Sequence, residues 1–412
     1  MKHLVIKHVG PIKDVEVDLN RFNFIIGPQS SGKSTVAKIL STCTWIEKEV
    51  CTTLNEHAFS QKTDFVNLVE SFHKMNGYFD NSSFVKFETD CITVIYEKER
   101  LIVAQKQGAE YYRQKICYIP SERNMVTLPE LQGFEFGATN LRSFLFDWFN
   151  ARENFDSRHK SDILGLGVKY FYNVEETNYK DRIEHENGES YRIPLSNASS
   201  GLQSAVPLII MLQYYSGSYF DSYAHKTSFY EDAKAKELRR SLMISFVEHF
   251  HPGFDRSKLR SYVLEIDEKL LQHAPDYVKE LKKYNAQLQR LTVPSKSCFI
   301  VEEPEQNLFP DTQVELLETM FRLCQQKRKH EFTVTTHSPY IVDFLNVLIM
   351  RHYSSVSGKV SLDPNELSVF AVRDGRLLDQ MQTNSVNGRL SVNVEDLTEK
   401  MREMYTEYQE LK

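Results

Sequence analysis

The stretch FNFIIGPQSSGKSTVAKIL, residues 22–40, constrains this chain more than any other. A short apolar run ends in a glycine, Gly32-Lys33-Ser34 follows five residues later, and apolar residues then recur at helical spacing. Strand, G-x-x-x-x-G-K-S loop and helix in that order form a phosphate cradle. The glycines let main-chain N–H groups turn inward, and the helix N-terminus adds the positive end of its dipole. In such a cradle Gly27, Gln29, Ser30, Ser31, Gly32, Lys33, Ser34 and Thr35 surround a nucleoside triphosphate. Lys33 would reach the β- and γ-phosphates and Ser34 would ligate Mg2+. The ordinary alternative is a chance glycine turn before a helix, and the flanking strand and helix argue against it. The expected fold class is therefore α/β, a P-loop NTPase with ATP and Mg2+ as its ligands.

Three further segments fall in a suggestive order. In SCFIVEEPE a β-run ends in Glu302 and Glu303. A carboxylate at a strand end beside the cradle can hold the Mg2+ shell, and the next one can act as general base toward water. Glu302 is assigned to the metal and Glu303 to the water, although Glu302 stands where an aspartate is usual. In FTVTTHSPYIV another β-run ends at His337, which can contact the γ-phosphate or steady the water. A lone histidine is more often structural; its place after a cradle and a carboxylate pair favours the functional reading. In LSNASSGLQSAVPLI, Ser199, Ser200 and Gly201 open a predicted helix, with Gln203 just inside. Small residues there make either an ordinary N-cap or an anion-binding end.

The remaining sequence sets the frame. HLVIKHVGPIKDVEVDL alternates around a Gly-Pro turn and predicts two N-terminal strands, and FVKFETDCITVIYEKERLIVAQK predicts more antiparallel strands. Residues 52–85 read as polar and helical. VKYFYNVEETNYKDRIEHENGESYRIPL predicts a hairpin over 169–194, turned at Asn187-Gly188. Residues 227–291 read as charged helices, and the tail as a terminal helix. With 412 residues, 41% hydrophobic and 26% charged, the chain can bury a large core. A net charge of −6 argues only weakly against polyanion binding. The clusters Arg239-Arg240, Lys282-Lys283 and Lys327-Arg328-Lys329 read first as solvated helix faces. Six scattered cysteines without a CxxC pair suit free thiols in a reducing cytosol. No apolar run approaches the about 20 residues of a membrane helix, and the N-terminus lacks a signal-peptide pattern, so a cytoplasmic location is expected.

In this order the four elements resemble the ABC-type ATPase heads of the SMC, RecF and OLD branch. Residues 27–35 resemble the Walker A loop, 198–204 (ASSGLQS) the signature, 299–305 (FIVEEPE) Walker B, 306–310 (QNLFP) the D-loop and 335–339 (TTHSP) the H-loop. YIPSERN, residues 118–124, is similar to a segment of small AAA/ABC ATPases of bacterial phage-defence and OLD-like systems. It falls at the Q-loop position without a glutamine, leaving Glu122 and Arg123 as substitutes or as an exposed turn pair.

The resemblance implies one ABC-type head over 1–412. A mixed central sheet would carry an N-terminal antiparallel β-subdomain and a mostly helical lobe over 127–291, with a strand pair and helix over 365–412. It implies a homodimer with two ATP molecules at the interface, Ser200 and Gly201 of one copy meeting the γ-phosphate held by the other. Sustained heptads are missing between Ser34 and Ser199, so a compact head is expected rather than a rod. Only 75 residues (412 − 337) follow His337, and no Toprim nuclease is expected in them. Two functions follow from the resemblance. One is an ATPase that controls a separately encoded effector, a nuclease or toxin, in phage defence or DNA maintenance. The other is a nucleotide-retaining scaffold that holds such a partner with little hydrolysis. Nucleic acid stays open as a partner and a membrane is not expected.

Overall fold

The computed structural model describes residues 2–53, 64–128, 137–176, 178–186, 191–222, 229–259, 262, 275–385 and 387–411. The elements run β1 Lys2–Val9, β2 Ile12–Leu19, β3 Phe22–Ile26, α1 Lys33–Thr53, α2 Asp64–His73, β4 Phe79–Glu88, β5 Ile92–Glu97, β6 Arg100–Gln105 and β7 Gln114–Ile119. The middle of the chain gives α3 Asn140–Arg152, β8 Ser161–Asp162, β9 Val168–Tyr172, β10 Asp181–His185, β11 Tyr191–Pro194, α4 Ser200–Ser216, α5 Ser218–Ser222, α6 Phe229–Phe250 and α7 Pro275–Thr292. The remainder is β12 Lys296–Glu302, α8 Pro310–Cys324, β13 Glu331–Thr336, α9 Pro339–Tyr353, β14 Leu367–Arg373, β15 Arg376–Asp379, β16 Met381–Thr383, β17 Leu390–Val392 and α10 Glu395–Glu410.

Eleven strands make one mixed sheet, in the order β6-β5-β4-β1-β2-β15-β14-β3-β13-β12-β7. Its five strands from β14 to β7 are parallel, and β6 to β2 form an antiparallel arm. The hairpin β14–β15 joins the two parts, with Asp374-Gly375 as the turn between Arg373 and Arg376. The parallel strands β3, β12 and β13 are buried along nearly their whole length because helices cover both faces, while β2 of the arm alternates.

Strand β3 shows how the sheet divides two cores. Phe22, Phe24 and Ile26 point to the side covered by α3, α4, α8 and α9, where Phe299, Val301, Phe321, Phe332 and Val334 join them. Ile25 points to the other side, against Val36, Ile39, Cys43 and Ile46 of α1 and the arm residues Leu4, Ile6, Val85 and Phe87. The rings of Phe22 and Phe332 lie 4.6 Å apart and those of Phe321 and Phe332 5.0 Å apart, so the parallel strands and α8 are locked by aromatic packing.

The architecture is α/β, with a mixed central sheet, an antiparallel N-terminal arm and a lobe of helices. The lobe also contains a four-stranded sheet, β11-β10-β9-β8. The hairpin read over 169–194 falls on β9, β10 and β11, with β10 and β11 paired Arg182 to Pro194 through His185 to Tyr191. The Asn187-Gly188 turn itself lies outside the described residues. One expectation differs from the structure. Residues 54–63 of the segment 52–85 lie outside the described residues, and the described remainder is helical only in part, since β4 begins at Phe79, where Val9 of β1 pairs with it. Residues 79–83, FDNSS, carry no apolar alternation, and pairing with β1 overrides that local pattern. All six cysteines are free, five of them buried.

Candidate nucleotide site

Register brings the candidate residues together. Ile26 pairs with Thr336, and Thr335 pairs with Glu302, so β3, β13 and β12 end side by side. The loop after β3, His337 after β13 and Glu303 after β12 therefore open on one edge of the sheet. This is the edge where parallel α/β sheets place their ligands.

In the loop, Ser30 has φ +58° and Gly32 φ +108°. The left-handed backbone favours glycine there, and a Cβ on residue 32 would also stand 2.5 Å from the Ile12 Cδ1 methyl, which would have to turn aside. Gln29 and Ser30 are exposed at the tip, while Lys33 and Thr35 are buried at the start of α1. The Lys33 ammonium donates to the carbonyls of Gly27 (2.9 Å) and Pro28 (2.7 Å) and lies 3.3 Å from His337 Nδ1. Burial lowers its affinity for the proton, and the carboxylates of Glu303, Glu305 and Glu302 work the other way. An ammonium curled onto its own loop is one that a phosphate can draw out, since an anion is a stronger acceptor than a carbonyl.

His337 also faces Glu303, with Nε2 3.1 Å from Glu303 Oε1, and its backbone N–H donates to Glu305 Oε1 at 2.6 Å. Lys33, His337 and Glu303 thus form a continuous chain across three strand ends. Glu303 has φ +44°, a strained value for a non-glycine residue, and its N–H donates to Thr335 O at 2.8 Å.

Glu302 points the other way, into the sheet edge beside Ser34. It accepts from the Tyr118 hydroxyl and from Ser34. Burial pushes its carboxyl above the usual range, against the pull of Lys38 and these two hydroxyls. Ser34 and Glu302 are adjacent, as an octahedral Mg2+ shell completed by water and phosphate would need. Among the described residues no group of three or more His, Cys, Asp or Glu side chains could hold a metal ion by itself. Among the described residues the buried hydroxyls Ser31 Oγ and Thr335 Oγ1 and the carboxylate oxygen Glu305 Oε2 have no hydrogen-bond partner.

The signature candidate opens α4. Ser199 is its N-cap and accepts from Leu202 N at 3.5 Å. Gln203, expected at the nucleotide, spends its amide on the carbonyls of Ser196 (2.8 Å) and Ala198 (3.0 Å), fixing the turn before α4. Among the described residues, the contacts of this segment run to the 307 turn and to the 121–127 turn: Asn307 Nδ2 donates to Ser204 Oγ at 3.0 Å, Gly201 lies against the Asn307 carbonyl, and Arg123 Nε donates to Ser204 O at 3.0 Å. They do not run to the loop at 27–35 of the same chain.

From sequence Arg123 stands open between a Q-loop substitute and an exposed turn. The structure buries it completely on the 3-10 turn Ser121–Thr127, donating to main-chain carbonyls of the 302–304 turn and of α4. Glu122 beside it is exposed and accepts from Ser121 Oγ at 3.1 Å. No helix among the described residues is long and apolar enough to cross a membrane.

No protein-family model matches the sequence, and no curated protein matches it either. Solved structures similar to the chain include the SMC head domain from Thermotoga maritima, 10% identical over 92% of this chain and 97% of that one, with a TM-score of 0.38. Another is the Smc head with an extended coiled coil bound to the C-terminal domain of ScpA from Pyrococcus furiosus, 10% identical over 98% and 100%, TM-score 0.37. A third is the recombination mediator protein RecF, 8% identical over 92% and 97%, TM-score 0.31. Scores this low add nothing to the reading of the site, which rests on the loop, the strand ends and their register.

Proposed function

We propose that the chain is an ABC-type ATPase that binds ATP with Mg2+, closes head to head with a second copy and hydrolyses the nucleotide to reopen. The observation that carries this is the chain Lys33–His337–Glu303, a cradle ammonium, an imidazole and a carboxylate within 3.3 Å of one another in turn across three parallel strand ends. In this reading the P-loop amides and Lys33 hold the triphosphate, and Ser34 and Glu302 hold the metal. Mg2+ would neutralise charge on the β- and γ-phosphates. Glu303 orients and deprotonates the attacking water, and His337, already between Lys33 and Glu303, steadies the γ-phosphate. Ser199 and Ser200 are exposed at the start of α4, and Gly201 lies against the Asn307 carbonyl, which supports their use on a second copy's nucleotide.

Control of a separate effector, a nuclease or toxin in phage defence or DNA maintenance, belongs to the same proposal and is supported by the resemblance of residues 118–124. Steady-state ATP hydrolysis by the purified chain, with and without nucleic acid, tests the catalytic part. Turnover that vanishes in Lys33→Ala and Glu303→Gln supports it; equal turnover in wild type and both variants overturns it.

One observation favours the nucleotide-retaining scaffold as a second reading. Glu302 is buried, bonded by Tyr118 and Ser34, and pushed toward its neutral form, which disfavours a tightly held metal. Chromatography of bound nucleotide after incubation separates the two, ADP marking the ATPase and intact ATP the scaffold.

A further inference from the structure

Arg123 is fully buried, yet no carboxylate oxygen is among its hydrogen-bond partners. Its Nε donates to Ser204 O at 3.0 Å. Nη1 donates to Glu302 O at 2.8 Å and Pro120 O at 3.3 Å, and Nη2 to Glu303 O at 2.7 Å and Pro304 O at 3.3 Å. All three guanidinium nitrogens are engaged, each on main-chain carbonyls. Burial drags its pKa down to about 10, with Glu305, Glu303 and Glu302 opposing, so the group remains a cation at neutral pH.

The placement follows from the sheet. Strand β7 runs parallel to β12 with Ile119 opposite Val301, so the turn after β7 emerges beside the turn after β12. Residues 302–304 present three successive carbonyls there, and Glu303 in the middle of them has φ +44°. A backbone in that region relaxes unless its surroundings over-determine it. The planar fork of an arginine can span several fixed acceptors, whereas a lysine offers one point of charge. The same fork takes Ser204 O, one helical turn after Ser200 at the start of α4. Asn307 closes the circuit, donating to Ser204 Oγ and packing its carbonyl on Gly201. The 302–307 turn, the start of α4 and the 121–127 turn are therefore tied together by hydrogen bonds.

We propose that Arg123 is a positioning residue for ATP hydrolysis. It fixes the backbone that aims Glu303 and ties that aim to the N-terminus of α4, so that engagement of Ser199–Gly201 by a second copy is felt at Glu303. The inference rests on the reading of Glu303 as the water-activating carboxylate.

The test uses the full chain and its variants Arg123→Lys, Arg123→Gln, Glu303→Gln and Arg123→Lys/Glu303→Gln. Hydrolysis is measured against ATP concentration, and amide hydrogen exchange without nucleotide. Arg123→Lys is expected to lower kcat about 100-fold, the scale of a small misplacement of a catalytic group, while KM moves by less than about 3-fold. Exchange should rise in peptides covering 302–307 and 200–206. Because Arg123 acts through Glu303, the double variant should be no slower than Glu303→Gln alone. Wild-type kcat in a folded Arg123→Lys protein, a raised KM with kcat intact, or unchanged exchange at 302–307 overturns the proposal. So does failure of both Arg123 variants to fold, which would give the arginine to the fold in general. If Glu303→Gln itself hydrolyses like wild type, the reading of Glu303 fails instead, and the exchange experiment still judges the clamp.

Discussion

The carbonyl oxygen of Asn307 closes on Gly201 so tightly that a Cβ at that position would lie 2.9 Å from it. The obstacle is backbone, so it cannot swing aside as a side chain end could. Gly201→Ala should push the 302–307 turn away from α4 and cost about 1–3 kcal/mol of stability, the range for an overfilled interior. Because the displaced turn carries Glu303, hydrolysis should fall further than the loss of stability explains. Thermal unfolding and ATP turnover measured on one preparation check both; an unchanged melting temperature would show that the turn yields freely.

Lys33 and Glu303 touch opposite sides of His337, and their removal should have opposite signatures. Lys33→Ala loses charge-assisted bonds to phosphate, each about 1.5–3 kcal/mol, so nucleotide affinity should drop at least about 10-fold. Glu303→Gln keeps the cradle and loses the base, so ATP should bind as in wild type while turnover falls about 100-fold or more. Trapped in the bound state, Glu303→Gln should elute at the size of a dimer with ATP, and Lys33→Ala should not. Size-exclusion chromatography with light scattering reads the difference.

The cradle could be read from sequence because its signal is local: two glycines, a lysine and a serine at fixed spacing between a strand and a helix. The strands before Glu302 and His337 were legible for the same reason, as apolar runs ending in a polar residue. Other features depend on partners far away in the chain. Arg123 stands in an SER tripeptide that reads as a solvated turn, and its acceptors are carbonyls at 204 and 302–304, which carry no side-chain signature. Gln203 stands one turn from the candidate anion-binding serines, and only the fold shows its amide turned back to Ser196 and Ala198. The start of β4 at a polar FDNSS run is set by its neighbour β1 rather than by its own pattern.

Glu302 gives a pH-dependent prediction with a definite sign. Its carboxyl binds a proton more tightly in the folded chain than in the unfolded one, chiefly through burial. The unfolded state therefore releases that proton first, and stability falls as pH rises from about 4.3, the ordinary glutamate value, through the raised folded value. Glu302→Gln removes this dependence. Without nucleotide it should melt higher than wild type at pH 7, by about 1–2 °C for each kcal/mol recovered in a chain this long. The gain should disappear below pH ~4. A variant that melts lower at pH 7 would mean that Glu302 is ionised and stabilising in the resting protein.

Glu331 shows the opposite sign. It opens β13 between two ammoniums, Lys2 Nζ at 2.7 Å and the nearby Lys296 Nζ, and so ties β1 and β12 to the strand that lies between β3 and β12. Burial would raise its pKa, but the two lysines overrun that and hold it at about 2. Its stabilisation is present above about 4.3, the unfolded value, and is lost as pH falls toward the folded one. Glu331→Gln keeps the shape and leaves Lys2 and Lys296 facing each other without a counter-charge. Breaking a sealed ion pair costs about 3–5 kcal/mol; this carboxylate keeps some contact with water, so about 2–3 kcal/mol is expected at pH 7. Titrating from pH 6 to pH 3, the wild type should lose stability toward the level of the variant, whose own curve should be flatter. Denaturant unfolding at several pH values measures this. Parallel curves offset by a constant would show that the pair contributes through packing rather than charge.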